Sequence, residues 1–157
     1  FAMTDSALAI TNLLHCYAEA IDAGHLEEAA ALFRHARIEA GGNGTLDHAG
    51  LLALWRRIIV LYPCGTPRTR HLISNPILEI DEAAGTATAR SCYTVFQATE
   101  QMALQAIASG RYLDRFARLD GQWCFSAREY RLDLTGDLSR HLRASPTVQS
   151  KEAMPGS

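Results

Sequence analysis

Tyr17, Asp22 and His71 are the residues of this 157-residue sequence whose types best suit acid–base chemistry. An imidazole titrates near neutral pH, so His71 in a pocket could remove a proton and return it. Asp22 could orient that imidazole and stabilise its charged form, as the aspartate of a serine hydrolase triad does. Tyr17 carries a phenol that needs a partner when it is buried. Together they suggest a proton-transfer site.

Each of these residues also has a structural explanation. His71 could be a structural histidine of a strand, and Tyr17 could be a packing residue on the apolar stripe of its helix. Asp22 falls in the last turn of that helix, where the negative end of the helix dipole disfavours a carboxylate. Either solvent or a protonated histidine must therefore stabilise Asp22, and contact with His71 would distinguish the two.

The N-terminal part of the chain predicts helices. Apolar residues recur at helical spacing, with Thr4 or Asp5 as the first N-cap, Gly24 as a stop and Asp47 as the cap of the third helix. The predicted helices cover residues 7–22, 25–33 and 47–62, and a short strand is predicted at 36–40. The first two helices would form a helical hairpin.

After Pro67 the pattern changes from helical to alternating, which is typical of strands. The predicted strands cover residues 69–80, 86–98, 104–119 and 122–134. Turn residues at 81–85 and at 120–121 indicate hairpins, so neighbouring strands should be antiparallel. Helices followed by a meander predict an α+β fold, in which a curved antiparallel sheet forms a cone with about three N-terminal helices on its concave face. We expect one domain over residues 1–143 and a flexible polar tail over 144–157.

Polar residues within the predicted strands are further candidates for the pocket. The substrate-binding candidates are Asn75, Tyr93, Tyr112 and Arg128. Alternation places Asn75 on the same face as His71. Arg128 has the opposite parity to Trp123 and Phe125, so an inward Arg128, which could bind an anion, would require a bulge. The remaining histidines are expected to be solvated: His15, His25, His35, His48 and His141.

Composition excludes several classes of function. The formal net charge is −2, and Lys and Arg are spread along the chain, so nucleic acid is not an expected partner. The longest apolar stretches fall far short of the roughly 20 residues that span a bilayer. Four separated cysteines without a C-x-x-C pair argue against a zinc site and favour free thiols in the cytoplasm. Nucleotide-binding and zinc-protease motifs are absent, so neither a cofactor nor a metal is expected.

Several segments resemble the SnoaL-like family of the nuclear-transport-factor-two-like superfamily. Residues 14–22 and 32–33 are similar to its opening helices, 69–75 to its first long strand, and 110–116 with 120–123 to its last hairpin. The resemblance runs from about residue 7 to residue 137. It implies the same cone-shaped fold that the periodicity predicts.

The resemblance also implies chemistry. The family includes scytalone dehydratase and bile-acid dehydratases, which need no cofactor and use an aspartate-assisted histidine to remove a proton beside a carbonyl. Asp22 and His71 fall at the positions of that pair, and Tyr17 resembles the catalytic tyrosine of the bile-acid enzymes. Ile21 stands where scytalone dehydratase has a tyrosine, and residues 93–98 contain no second histidine. Substrate identity therefore does not carry over.

These features lead to two hypotheses about function. The first is a cofactor-independent dehydratase, lyase or isomerase acting on a hydrophobic, cyclic, carbonyl-containing molecule. The alternative is a non-catalytic ligand-binding module, or an accessory subunit like the small subunit of ring-hydroxylating dioxygenases. In either case the uncovered side of the sheet predicts a homodimer or homotrimer.

Overall fold

The computed structural model describes residues 5–146, which form three helices and a six-stranded sheet. The helices are α1 (Ser6–Asp22), α2 (Leu26–Ala31) and α3 (His48–Ile58). The strands are β1 (Arg37–Ala40), β2 (Thr45–Leu46), β3 (Thr69–Asp81), β4 (Thr86–Thr99), β5 (Met102–Leu119) and β6 (Gln122–Thr135). The domain boundary predicted at residue 143 stays a prediction, because most of the predicted tail lies outside the described residues.

The sheet has the strand order β2-β1-β6-β5-β4-β3 and is curved and unclosed. The four long strands form the predicted antiparallel meander, and the α+β class is confirmed. The sheet is mixed rather than wholly antiparallel, because β1 pairs in parallel with β6. No hairpin connects these two strands, so local turn chemistry does not fix their relative direction.

Helix α1 begins and ends at the predicted signals. The side chain of Asp5 accepts a hydrogen bond from the backbone N–H of Ala7 at 2.9 Å, as an N-cap does. The alternative cap, Thr4, lies outside the described residues. The helix ends at Asp22, and Gly24 follows with a φ of +79°. This turn brings the end of α1 against the start of β3.

Helix α3 ends at Ile58, four residues before the predicted end. Ile59 is extended instead and forms an isolated antiparallel bridge with Leu142. The backbone N–H of Val60 donates to His141 O at 2.9 Å, and that of Arg143 donates to Ile58 O at 2.8 Å. Pairing with a segment far along the chain therefore replaces the last turn that helical periodicity predicts.

Register shifts interrupt the pairing of the long strands, and two of them affect candidate residues. The register of β3 shifts between Ser74 and Ile77. The register of β6 also shifts, since Phe116 pairs with Phe125 but Arg115 pairs with Ala127. This is the bulge that an inward Arg128 requires, and Phe125 and Arg128 are both buried.

The sheet also presents large apolar side chains to solvent. Leu72, Leu104 and Leu134 are 54%, 72% and 68% exposed. Association into a dimer or trimer stays a prediction. No helix within residues 5–146 has the length and apolarity needed to cross a membrane.

The turn after α1 gives a testable prediction about stability. Gly24 and Gly121 have the same φ of +79°, but a Cβ at Gly24 would lie 2.0 Å from Gly65 O, whereas nothing lies within 4 Å at Gly121. We expect Gly121→Ala to lower the free energy of unfolding by about 1 kcal/mol through backbone strain alone. Gly24→Ala should cost about 2–4 kcal/mol, because a steric clash is added. Urea denaturation measures both, and equal losses would show that this close approach is not a constraint.

Candidate active site

A cavity of about 630 Å³ lies between the helices, the sheet and the segment that follows β6. Apolar and aromatic side chains predominate in its wall, among them Ile21, Leu54, Trp55, Val95 and Leu132. The polar side chains in the wall include Tyr17, His71, Tyr93, Tyr112, Tyr130 and His141. A mainly apolar cavity with a few polar groups is typical of a small-molecule site.

His71 and Asp22 are in direct contact. His71 Nδ1 lies 2.6 Å from Asp22 Oδ1, and the backbone N–H of His71 donates to Asp22 Oδ2 at 2.7 Å. The hydroxyl of Thr69 donates to Asp22 Oδ1 at 2.8 Å. The side chains of His71 and Asp22 are only 7% and 10% exposed. The carboxylate at the end of α1 is thus stabilised by β3 rather than by solvent.

The electrostatics of this pair favour an ionised Asp22. Burial raises the pKa of Asp22, but hydrogen bonds and charge interaction with His71, together with the Thr69 hydroxyl, outweigh burial and leave the pKa lowered. An ionised carboxylate at Nδ1 selects the tautomer that carries a proton there, so Nε2 is left as the basic nitrogen. His71 lines the cavity, and Asp22 supports it from behind.

Tyr17 also lines the cavity, within a cluster of aromatic rings. Its ring centroid lies 6.4 Å from that of His71 and 5.8 Å from that of Tyr112. The hydroxyl of Tyr130 donates to the hydroxyl of Tyr17 at 3.1 Å. Burial raises the pKa of Tyr17 well above its usual value, and the neighbouring phenols raise it further. Tyr17 is therefore a neutral phenol, suited to donate a hydrogen bond.

Arg128 lies beneath this aromatic cluster and is fully buried with Asp114. Its Nε and Nη2 donate to the two carboxylate oxygens of Asp114 at 2.6 and 2.8 Å. The guanidinium carbon is 3.9 Å from the ring centroid of Tyr112 and 4.4 Å from that of Tyr17. Burial raises the pKa of Asp114, and Arg128 opposes that effect. Arg128 is thus positioned to act on the cavity through the tyrosines, and direct contact between Arg128 and substrate stays a prediction.

His141 is buried, so the prediction that it is solvated was wrong. It is 8% exposed and lines the cavity, and its Nδ1 has no hydrogen-bond partner within the described part of the chain. Its pKa is lowered to about 4, mainly by burial and also by nearby His71, while Asp22 acts in the opposite direction. The error arose because His141 is held by pairing with the residues after α3. The apolar neighbours Leu138 and Leu142 were the only local signal that this loop is packed.

The other candidates from the sequence have different outcomes. Tyr93 and Tyr112 line the cavity and stack with ring centroids 4.4 Å apart. Asn75 is exposed, with a φ of +52°, because it lies in the irregular part of β3 where alternation breaks down. Tyr130 and Trp55 were not among the candidates, although Tyr130 shares the inward parity of Arg128. Within residues 5–146 no group of three or more His, Cys, Asp or Glu side chains could hold a metal ion.

Comparison with known proteins gives a family match. The profile described as SnoaL-like domain matches residues 2–129. No curated protein sequence gave a significant match to the chain.

Solved structures similar to this chain share its fold. An aspartate-to-asparagine variant of a Mycobacterium tuberculosis protein of unknown function is 28% identical, with a TM-score of 0.65 over 81% of this chain and 71% of that one. A candidate scytalone dehydratase from Novosphingobium aromaticivorans is 22% identical, with a TM-score of 0.70 over 94% and 95% of the two chains. A candidate beta subunit of an aromatic-ring-hydroxylating dioxygenase from the same organism is 22% identical, with a TM-score of 0.63 over 82% and 90%.

The buried ion pair predicts a large effect on stability. Arg128→Met should lower the free energy of unfolding by about 3–5 kcal/mol, because it leaves the Asp114 carboxylate buried without a counterion. The double variant Arg128→Met/Asp114→Leu should recover much of that loss. Arg131→Met is the matched control, since its half-exposed pair with Glu129 should contribute less than about 1 kcal/mol. Chemical denaturation tests this, and similar losses at Arg128 and Arg131 would contradict it.

His141 predicts a pH dependence of stability. Its pKa is about 4 in the folded protein against 6.5 ordinarily, so below pH 6.5 the unfolded chain binds a proton that folded His141 does not. Its contribution therefore makes the free energy of unfolding fall as pH decreases from about 6.5 to about 4, by at most about 1.4 kcal/mol per pH unit. His141→Phe should remove this contribution, whereas His15→Phe, on the exposed face of α1, should not. Parallel pH profiles for wild type and His141→Phe would contradict the assignment.

Proposed function

The chain belongs to the SnoaL-like domain family, and we propose that it is an acid–base enzyme, a dehydratase-type lyase or an isomerase, acting on a hydrophobic cyclic ketone. The observation that carries this proposal is a histidine in the cavity wall whose Nδ1 is held by a buried carboxylate. This arrangement leaves Nε2 of His71 available to take a proton from a ligand. The Asp22 carboxylate compensates the positive charge that the imidazole then gains. Such a pair is suited to move a proton within an apolar site.

The proposed reaction begins at the carbon beside the carbonyl. His71 Nε2 takes a proton from that carbon, and the Tyr17 hydroxyl donates a hydrogen bond to the carbonyl oxygen as it becomes an enolate. In dehydration, the enolate re-forms the carbonyl and expels a hydroxyl from the next carbon. The proton held by His71 leaves with that hydroxyl as water, so the products are an enone and water. In isomerisation, the same proton returns to a different carbon.

The charges around the cavity support this sequence of steps. Ionised Asp22 stabilises the imidazolium that forms when His71 takes the proton. Negative charge that develops on the ligand oxygen is shared with Tyr17, whose ring lies 4.4 Å from the guanidinium carbon of Arg128. The cation therefore lowers the cost of placing negative charge in an apolar site.

The shape and composition of the cavity support the class of substrate. Its volume of about 630 Å³ is within the range of small-molecule pockets, and most of its wall is apolar or aromatic. Aromatic side chains in the wall, among them Tyr93 and Trp55, suit contact with a ring system. The chemistry uses side chains of this chain alone, so no cofactor enters the proposed steps.

A second candidate function is a non-catalytic binding module or accessory subunit. The likeness to the candidate dioxygenase beta subunit favours this alternative, because a protein named as a subunit of an enzyme complex has a similar fold. A binding module would use the same cavity and hold the same ligands without moving a proton. The enzyme and the binding module would therefore bind a ligand with similar affinity, and only the enzyme would accelerate proton transfer.

The test uses α-tetralone, a bicyclic ketone with protons beside its carbonyl. We expect the protein in D₂O to accelerate exchange of these protons for deuterium, followed by NMR. His71→Ala should lower the rate at least about 100-fold, because the base is lost, while the α-tetralone Kd from calorimetry should change little. Tyr17→Phe should lower the rate by a similar factor, because the enolate loses a donor. His35→Ala, at an exposed histidine, is the matched control and should leave the rate unchanged.

Each outcome of this test decides between the candidates. Binding without accelerated exchange would sink the enzyme and favour the binding module. Exchange that survives His71→Ala would remove His71 as the base. Failure to bind α-tetralone at millimolar concentration would overturn the proposed substrate class. Dehydration of the 3-hydroxy derivative of α-tetralone, which yields 1-naphthol, would favour a lyase over an isomerase.

A further inference from the structure

His141 is a histidine in the cavity wall that the proposed steps leave unused. Its side chain is more than nine-tenths buried, and within residues 5–146 its Nδ1 has no hydrogen-bond partner. A buried polar atom without a partner costs about 1–3 kcal/mol. The His141 ring lines the ligand cavity, and a polar ring in a mainly apolar wall is a point where a ligand can find a hydrogen-bond partner.

We propose that His141 binds the hydroxyl group that the substrate loses, and so makes the site specific for a hydroxyl-bearing ketone. This inference rests on the proposed function, which it deepens by naming a second polar group on the substrate. Tyr17 serves the carbonyl oxygen, which can only accept hydrogen bonds. A hydroxyl can both donate and accept, so it complements the free nitrogen of a neutral imidazole in either tautomer.

The backbone around His141 fixes its position independently of the ring. Its N–H donates to Leu138 O at 3.0 Å, and its carbonyl accepts from the N–H of Val60 at 2.9 Å. The guanidinium of Arg143 donates to Ile59 O at 2.8 Å and ties the same segment to the end of α3. Replacing the imidazole should therefore leave this wall of the cavity in place.

The position of His141 also suits contact with a hydroxyl that leaves the substrate close to His71, the proposed base. Charge interaction with His71 lowers the pKa of His141 and charge interaction with Asp22 raises it, so His141 lies within the electrostatic reach of the pair. Burial keeps the His141 ring neutral near pH 7. A neutral ring can hold the hydroxyl without competing for the proton that His71 carries.

The experiment compares two ligands that differ by one hydroxyl, α-tetralone and its 3-hydroxy derivative. Kd values are measured by calorimetry in His71→Ala, which cannot turn over the derivative, and in His71→Ala/His141→Phe. We expect the affinity ratio of the derivative to the parent ketone to fall about tenfold on His141→Phe. His141→Gln, which keeps a polar group, should retain most of the preference, and His15→Phe should retain all of it.

The outcomes separate this inference from the proposed function. An unchanged affinity ratio, or an equal loss for both ligands, would overturn the role of His141. A fall in the ratio together with no exchange by the wild type would support the hydroxyl contact while overturning the enzyme. Thermal unfolding serves as the fold control, and His141→Phe should melt no lower than wild type, because an unpartnered buried nitrogen is removed.

Discussion

The site depends on one carboxylate at the end of a helix. Asp22 is placed where the dipole of α1 disfavours a negative charge, and donors from Thr69 and His71 compensate it. Thr69 and His71 lie at the start of β3, an edge strand of the sheet. Helix α1 must therefore pack at one fixed position along β3 for Asp22 to contact both residues. Close by, Gly24 packs against the backbone of Gly65, in the segment that leads into β3. The geometry of the Asp22–His71 pair and the packing of α1 on the sheet are thus the same constraint.

A second charged pair supports the cavity from below. Arg128 and Asp114 are fully buried. A buried ion pair often adds little to the free energy of unfolding, so stability alone does not account for this pair. Their effect is to hold a cation against the faces of Tyr17 and Tyr112. The cationic end of this ion pair therefore lies against the aromatic wall of the cavity, and the carboxylate of Asp114 balances its charge.

Local patterns in the sequence were sufficient for part of this structure and not for the rest. Helical spacing predicts α1, and strand alternation places His71 inward, so Asp22 and His71 could be named as candidates, whereas their contact comes from the structure. Asn75 could not be placed, because the register shift in β3 breaks the alternation on which its assignment rested. His141 was missed because its burial comes from pairing with residues near Val60, and periodicity contains no information about such distant contacts. Parallel pairing of β1 with β6 was missed for the same reason.

The contact between the end of α3 and the segment after β6 has a consequence for the order in which the cavity can be completed. Ile59 and Arg143, which form one of these contacts, are 84 positions apart, with β3 to β6 between them. Closing so long a loop is unfavourable until the intervening strands have formed a compact sheet. During synthesis, the residues that carry His141 leave the ribosome after the whole meander. The ligand cavity is therefore among the last parts of the domain to be completed, and its wall at His141 forms only when the entire sheet is already in place.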